Sequence, residues 1–211
     1  MPPSDETPAA PRMAQGKRLL MEAATRLAAR QGSTHALALR ELAREAGLNH
    51  NTFYRHFDSL ESLMQAVVSE FGQELRSGLL KARQSVVPGQ HPTPVVVGWF
   101  FDFAKQHRDV FTVAIREQYG PPGPLRDATR LMLEQLREDM VRDMTQLGHL
   151  PAMDEGRLHR LTRISIDQVF HLCLDYLEAP RRRAELLRAA EEMFNTLIAG
   201  AMVLESTKKI K

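Results

Sequence analysis

The stretch Leu39–Phe57, LRELAREAGLNHNTFYRHF, constrains this chain more than any other. It reads as a helix, a three-residue turn and a second short helix. Ala43 sits where two helices must nearly touch, so a small side chain is needed. Gly47 sits where the first helix must stop, a position suited to left-handed backbone. Leu39, Leu42, Ala46, Leu48 and Phe53 supply a small shared core at helical spacing. The second helix then carries His50, Asn51, Thr52, Tyr54, Arg55 and His56. These donors and acceptors suit reading base edges and phosphates, which makes the stretch a helix-turn-helix. A bare helical corner would share Ala43 and Gly47 but leaves the polar run from His50 to His56 unexplained.

The whole string is more specific than the two small residues. Tyr54-Arg55-His56-Phe57, followed by Asp58-Ser59-Leu60-Glu61-Ser62-Leu63, resembles the TetR family of bacterial transcriptional regulators, in which the reading helix ends in an aromatic-aromatic-x-His-Phe motif and runs into a capped long helix. The resemblance covers roughly Gly16 to Val68. One departure is Ala38, where the family usually has Thr or Ser to cap the helix and touch a phosphate. A missing cap costs about 1 kcal/mol of local stability.

Charge agrees with this reading. From Arg12 to Phe57 there are 8 Lys/Arg and 3 Asp/Glu, whereas Asp58 to Lys211 holds 20 and 21. The positive excess therefore lies on the helix-turn-helix portion, as expected of a nucleic-acid-binding module. At 211 residues the chain can bury a substantial core. The single cysteine, Cys173, excludes an internal disulfide and suits a reducing cytoplasm, the expected location. Its neighbours Phe170, Leu172, Leu174 and Leu177 point to a buried, inert thiol. No apolar run approaches the ~20 residues needed to cross a membrane, and the N-terminus lacks the apolar stretch of a signal peptide.

The expected organisation is all-α: a disordered arm over 1–13, a three-helix DNA-binding domain over 14–58, a helical effector-binding and dimerisation domain over 59–205, and a tail over 206–211. The first helix should span Ala14 to Gln31 and end at Gly32. The fourth should span Leu60 to Ala82, capped by Asp58 or Ser59, with Asp58 and Glu61 spaced for a capping box. Ser85–Pro92 reads as a loop, and Thr93-Pro94 as N-cap and first helical position. Further breaks are expected at Tyr119–Pro124, Gly148–Pro151 and Glu178–Arg181. Val95-Val96-Val97 leads straight into Trp99, Phe100, Phe101 and Phe103 and reads as buried helix.

The last helix has an unusually wide apolar face. At about 100° per residue, Leu186, Ala190, Met193, Leu197 and Leu204 fall within about 40° of one line. Leu187, Phe194, Ile198, Ala201 and Met202 widen the arc to about 160°, more than one packed face requires. The preceding helix, Leu158 to Leu177, carries Leu161, Ile164, Val169, Leu172 and Tyr176. Both could pack inside one subunit, or two from each of two subunits could form a four-helix interface. The family resemblance implies the second, a homodimer with Ile164, Leu172, Leu186, Ala190, Met193, Leu197 and Leu204 at its interface.

Trp99, Phe100, Phe103, Phe111, Ile115, Met132, Leu136, Phe170 and Leu174 would suit either an apolar cavity or an ordinary core. The family resemblance implies a small-molecule effector between these helices. Arg40-Glu41, Arg44-Glu45-Ala46-Gly47, Phe53 to Phe57, and Phe111 through Ile115-Arg116-Glu117 to Gly120 are similar to one subgroup, the repressors of unsaturated fatty acid synthesis. That subgroup implies a long-chain acyl thioester such as an acyl-CoA, or a fatty acid. Arg116 would then meet a charged head, or else pair with Glu117 or another carboxylate.

In the DNA module, Asn49, His50, Asn51 and Thr52 are expected to face the major groove. Asn51 would pair with adenine, and Arg55 would read guanine or hold a phosphate. Tyr54 and His56 would clamp the backbone, as their matching positions do in the family. Arg40 would add a phosphate or groove contact. Lys17 and Arg18 would meet a phosphate or form a solvated helix end. Phe53 and Phe57 are assigned to the core. Asp167 and His171, four apart on one helix with His159 nearby, read as a polar pair rather than half a metal site. No catalytic motif, Walker loop or dinucleotide fingerprint is present, and Glu134, Glu138 and Asp139 read as a solvated face. The expectation is a dimeric regulator, a repressor of a palindromic double-stranded operator, with no enzyme activity, cofactor, metal or membrane partner. The rivals are a regulator of the same fold for drugs or other small molecules, and a ligand-independent DNA binder.

Overall fold

The computed structural model describes residues 9–87, 90, 92–147 and 153–208. They form nine α-helices and a 3-10 turn: α1 Ala9–Gln31, α2 Leu39–Glu45, α3 His50–Phe53, α4 Leu60–Gln84, α5 Pro92–Gln106, α6 Arg108–Glu117, α7 Pro124–Leu147, α8 Glu155–Glu178, the turn Pro180–Arg182, and α9 Arg183–Lys208. No strand occurs among the described residues.

Several ends differ from expectation for local reasons. α1 starts at Ala9, inside the expected arm, and α9 runs to Lys208, inside the expected tail. α4 is capped by Ser59, one of the two expected caps, but in a reciprocal pair with Ser62 and not in the expected Asp58–Glu61 box. Ser62 N donates to Ser59 Oγ at 3.0 Å, and Ser59 N donates to Ser62 Oγ at 3.2 Å. Ser59 immediately precedes the first helical residue, so it holds the cap position and Ser62 the matching third place. α5 begins at Pro92 rather than Pro94, because a proline needs no amide partner at a helix start. Thr93 is thereby drawn inside and buried. The turn between α2 and α3 spans 46–49, one residue longer than read. The expected break at Gly148–Pro151 lies outside the described residues, and so does part of the Ser85–Pro92 loop. Gly32 and Gly47 take the left-handed backbone that ends their helices, at φ 69° and 66°.

The chain divides into two compact units. One joins the residues up to Glu70 with Asp109–Thr129; the other joins Phe71–Arg108 with Arg130 onward. The divisions therefore fall within α4, at the start of α6 and within α7. Loop signals report breaks in the chain, not which distant segment completes a core, so α6 was not read as part of the first unit.

In the first unit α1 packs on α2 and α3. Leu20, Ala23, Ala24, Leu27, Leu42, Ala43, Phe53, Leu63 and Phe111 are buried. Arg26 and Arg30 both donate to Glu45, at 3.2 and 2.9 Å, tying α1 to the end of α2. In the second unit α5, α8 and α9 pack on one another. Phe101 stacks on Tyr176 with ring centroids 5.0 Å apart. Arg183 lies over both rings and donates to both Asp102 oxygens, at 2.8 and 2.9 Å, which pins the start of α9. α4 and α7 are joined by Arg76–Asp139 and by the buried pair Arg83–Asp143. Trp99 stacks on Phe103 at 4.9 Å and lies against α4 at Gly78.

Two predictions follow from this packing. A Cβ on Gly78 would lie 2.2 Å from the Trp99 ring. Overpacking of that kind costs about 1–3 kcal/mol, against about 1 kcal/mol gained by alanine in a helix interior. Gly78→Ala should therefore lower the urea midpoint without changing the transition slope. The second concerns pH. Arg30 and then Arg26 hold the Glu45 carboxyl below its ordinary 4.5. A carboxyl depressed in the folded state favours folding above its unfolded value and loses that contribution as pH falls through the folded value. Equilibrium unfolding followed downward from pH 4.5 should show a steeper loss for the wild type than for Glu45→Gln, the two converging once Glu45 is protonated.

Candidate nucleic-acid interface and effector cavity

The short α3 is built around its aromatic residues. Phe53 and Phe57 are 1% and 6% exposed, with centroids 6.0 Å apart, so both belong to the core. Burying them turns the intervening side chains outward. Tyr54 is 60% exposed, and its ring meets the His50 ring edge-on at 5.5 Å. Asn51 and Arg55 are exposed beside them, and Thr52 is half-buried. Asn49 has a local task that sequence reading missed: its side-chain oxygen accepts from Asn51 N at 2.9 Å and caps α3. α2 has no such cap at Ala38.

His56 is half-buried against α1, where a Cβ on Gly16 would lie 2.9 Å from its Nε2. Gly16 thus permits the close approach, a feature visible only once α1 and the α3 turn meet. Lys17 is exposed, with its ammonium 5.9 Å from the Phe57 ring centroid. Arg18 is exposed and pairs with Glu22 at 3.9 Å. Arg40 and Arg44 stand one turn apart on the exposed side of α2. Among the described residues, no carboxylate lies within ion-pairing distance of Arg40, Arg44 or Arg55.

The expected effector residues are divided between the two units, with Trp99, Phe100, Phe103 and Phe170 linked by ring contacts in the second. The second unit holds an almost wholly apolar cavity of about 70 Å³. Its wall is formed by Pro92, Thr93, Val96, Val97 and Phe100 of α5, Met140 and Met144 of α7, Ser165, Ile166 and Val169 of α8, Phe194 and Ile198 of α9, and Arg83 of α4. Of the expected set only Phe100 lines it. Phe111, Ile115 and Arg116 belong to the other unit. Trp99, Phe103, Met132, Leu136, Phe170 and Leu174 sit in the second unit outside this wall. Apolar periodicity marks inward-facing residues but does not separate cavity wall from filled core. Arg116 is exposed and does not pair with Glu117, since successive helical residues point about 100° apart.

Of the expected dimer residues, Leu186 and Ala190 are buried within the chain itself, at 3% and 0% exposure. Leu172, Met193 and Leu197 are half-buried, while Ile164 and Leu204 are exposed. Asp167 accepts from Arg137 at 2.8 Å, and His171 Nδ1 lies 2.6 Å from the Asp167 carbonyl. Burial pushes the Cys173 thiol up, far from a reactive thiolate. No helix among the described residues is long and apolar enough to cross a membrane.

Comparison with known proteins places this geometry. Residues 20–67 match the family model described as bacterial regulatory proteins, tetR family, and residues 93–200 match one described as the tetracyclin repressor-like C-terminal domain. A tetR-family transcriptional regulator from Streptomyces coelicolor is 24% identical with a TM-score of 0.70, covering 92% of this chain and 85% of its own. The transcriptional regulator FadR from Bacillus subtilis, solved in complex with stearoyl-CoA, is 14% identical with a TM-score of 0.69, covering 87% and 98%. The fatty acid degradation regulator FadR from Bacillus halodurans is 11% identical with a TM-score of 0.62, covering 86% and 94%. These likenesses show a shared fold. The helix-turn-helix, the second helical domain and the two family models together establish that this chain belongs to the TetR family of bacterial transcriptional regulators, with an all-α fold and an N-terminal DNA-binding domain.

Proposed function

We propose that the protein is a repressor that binds a palindromic operator as a homodimer and releases or tightens its grip when a small apolar ligand enters the cavity of the second unit. The observation that carries the DNA part is the polar surface over a buried aromatic pair: His50, Asn51, Tyr54 and Arg55 exposed above Phe53 and Phe57. Asn51 is assigned as a base reader, and Arg55 as a base or phosphate contact. Arg40, Lys17 and Arg18 are assigned to phosphates, and Tyr54 and His56 to the backbone clamp. The half-buried and exposed apolar residues Ile164, Leu172, Met193, Leu197 and Leu204 support pairing through α8 and α9. Dimerisation also suits a reading helix of four residues, which offers little affinity alone.

The apolar wall supports a hydrocarbon ligand, and one structural neighbour was solved with stearoyl-CoA. A long-chain acyl thioester or fatty acid is therefore the first effector to try. Size favours a second reading. A cavity of roughly 150 Å³ is what holds benzene in an engineered core, and this one is about 70 Å³. A long acyl chain would need Met140 and Met144 to swing aside, which unbranched side chains do readily. A compact apolar effector would need less movement.

Two measurements test these assignments. Asn51→Ala should cost about 1–3 kcal/mol at one operator position while leaving the salt slope alone, and Arg40→Ala should weaken all sequences and flatten the slope by about one. Unchanged binding by Asn51→Ala to both operator and random duplex would remove it as a reader. For the cavity, Val169→Phe should fill the space, keep operator affinity and abolish any shift produced by long-chain acyl thioesters, free fatty acids or compact aromatic compounds. A wild-type response to the aromatic compounds alone would select the compact effector; a full response retained in the variant would place the ligand elsewhere.

A further inference from the structure

Glu117, at the end of α6, has an unusual setting for a carboxylate. It is 8% exposed, and among the described residues no lysine or arginine lies within ion-pairing distance. Its Oε1 accepts a hydrogen bond from Thr34 Oγ1 at 2.7 Å. Gly120 leaves room for it: a Cβ there would lie 3.1 Å from Glu117 Oε2 and 3.2 Å from its carbonyl. Arg126 closes the same turn by donating to the Gly120 carbonyl at 3.0 Å. Burying a carboxylate is unfavourable unless hydrogen bonds offset the lost hydration, so the Thr34 hydroxyl is what holds this one in place.

Thr34 lies in the loop joining α1 to α2. That loop reaches Ala38, which gives α2 no side-chain cap. Its own bonds are local: Leu37 N to the Thr34 carbonyl at 3.3 Å and His35 N to Ser33 Oγ at 3.2 Å. The Glu117 bond crosses 83 residues of sequence and anchors the loop from outside. α2, with Arg40, follows within a few residues; α3 packs on α2, and the turn between them is closed by Leu48 N donating to the Ala43 carbonyl at 2.9 Å.

We propose that Glu117 is a positioning residue for DNA binding, holding the α1–α2 loop through Thr34 and thereby the placement of α2 and α3. The reading head is then completed by α6 and its turn. Glu117 and Gly120, which enter the sequence reading as part of a subgroup likeness, serve this anchorage. The inference goes beyond the effector reading and needs no ligand.

The test uses the full chain and a duplex selected by the wild type from a random-sequence pool. Thr34→Val, which removes the hydroxyl and keeps the branched shape, should weaken binding about tenfold, as expected for one hydrogen bond to a charged group. The salt slope should not change, because no phosphate contact is lost. Thr34→Ser and Glu117→Gln, which keep a donor and an acceptor, should bind within about twofold of wild type. Wild-type affinity in Thr34→Val would overturn the proposal. A flattened slope in Thr34→Val would overturn it too, by showing that Thr34 touches a phosphate itself, and so would failure of Thr34→Ser to bind.

Discussion

The DNA-binding surface rests on the burial of two phenylalanines. α3 has four residues, far fewer than a helix needs to persist in water without tertiary support. It holds because Phe53 and Phe57 are inside, four positions apart, and Asn49 caps its first turn. Everything proposed for recognition follows from that anchorage. With the two rings inward, His50, Asn51, Tyr54 and Arg55 have only solvent to face. The same fixture brings His56 against Gly16, and Lys17 over the Phe57 ring.

Charge follows a similar division of labour. The module has a positive excess, but its cations are not equivalent. Arg26 and Arg30 are spent on Glu45, holding α1 and α2 together. Arg40, Arg44 and Arg55 stand exposed with no carboxylate at hand among the described residues. Elsewhere Arg76, Arg83, Arg137 and Arg183 bind helices to one another. Net charge therefore overstates the surface offered to DNA, and contact geometry separates scaffold from interface. The buried Arg83–Asp143 pair illustrates the cost of such links: removing either partner strands a charge in an apolar setting.

The second unit shows why ligand sites are hard to read from composition. Its aromatic residues stack largely on each other, Trp99 on Phe103 and Phe101 on Tyr176, and so fill space. The cavity is bounded mainly by branched aliphatic residues and methionines from α5, α7, α8 and α9. Aromatic richness marked the core; the void lies where smaller side chains leave it unfilled.

Local chemistry was legible in the residues themselves. Left-handed glycines at 32 and 47, the polar run over a phenylalanine pair, the buried thiol of Cys173 and the helical reading of Val95–Val97 all depend on neighbours within a few positions. Ser59, one of the two expected caps of α4, pairs with Ser62 and not within an Asp58–Glu61 box, and α5 starts two residues early, because several capping residues stand side by side and only the bonds formed decide among them. What tertiary structure alone decided is which distant segments meet. It joined Asp109–Thr129 to the first unit, put Glu117 beside Thr34, buried Leu186 and Ala190 inside the chain, and kept all but Phe100 of the expected set out of the cavity wall. Periodicity says that a side chain turns inward. Which partner it meets there depends on how several helices fill one volume, and that information is not carried by any single stretch of the chain.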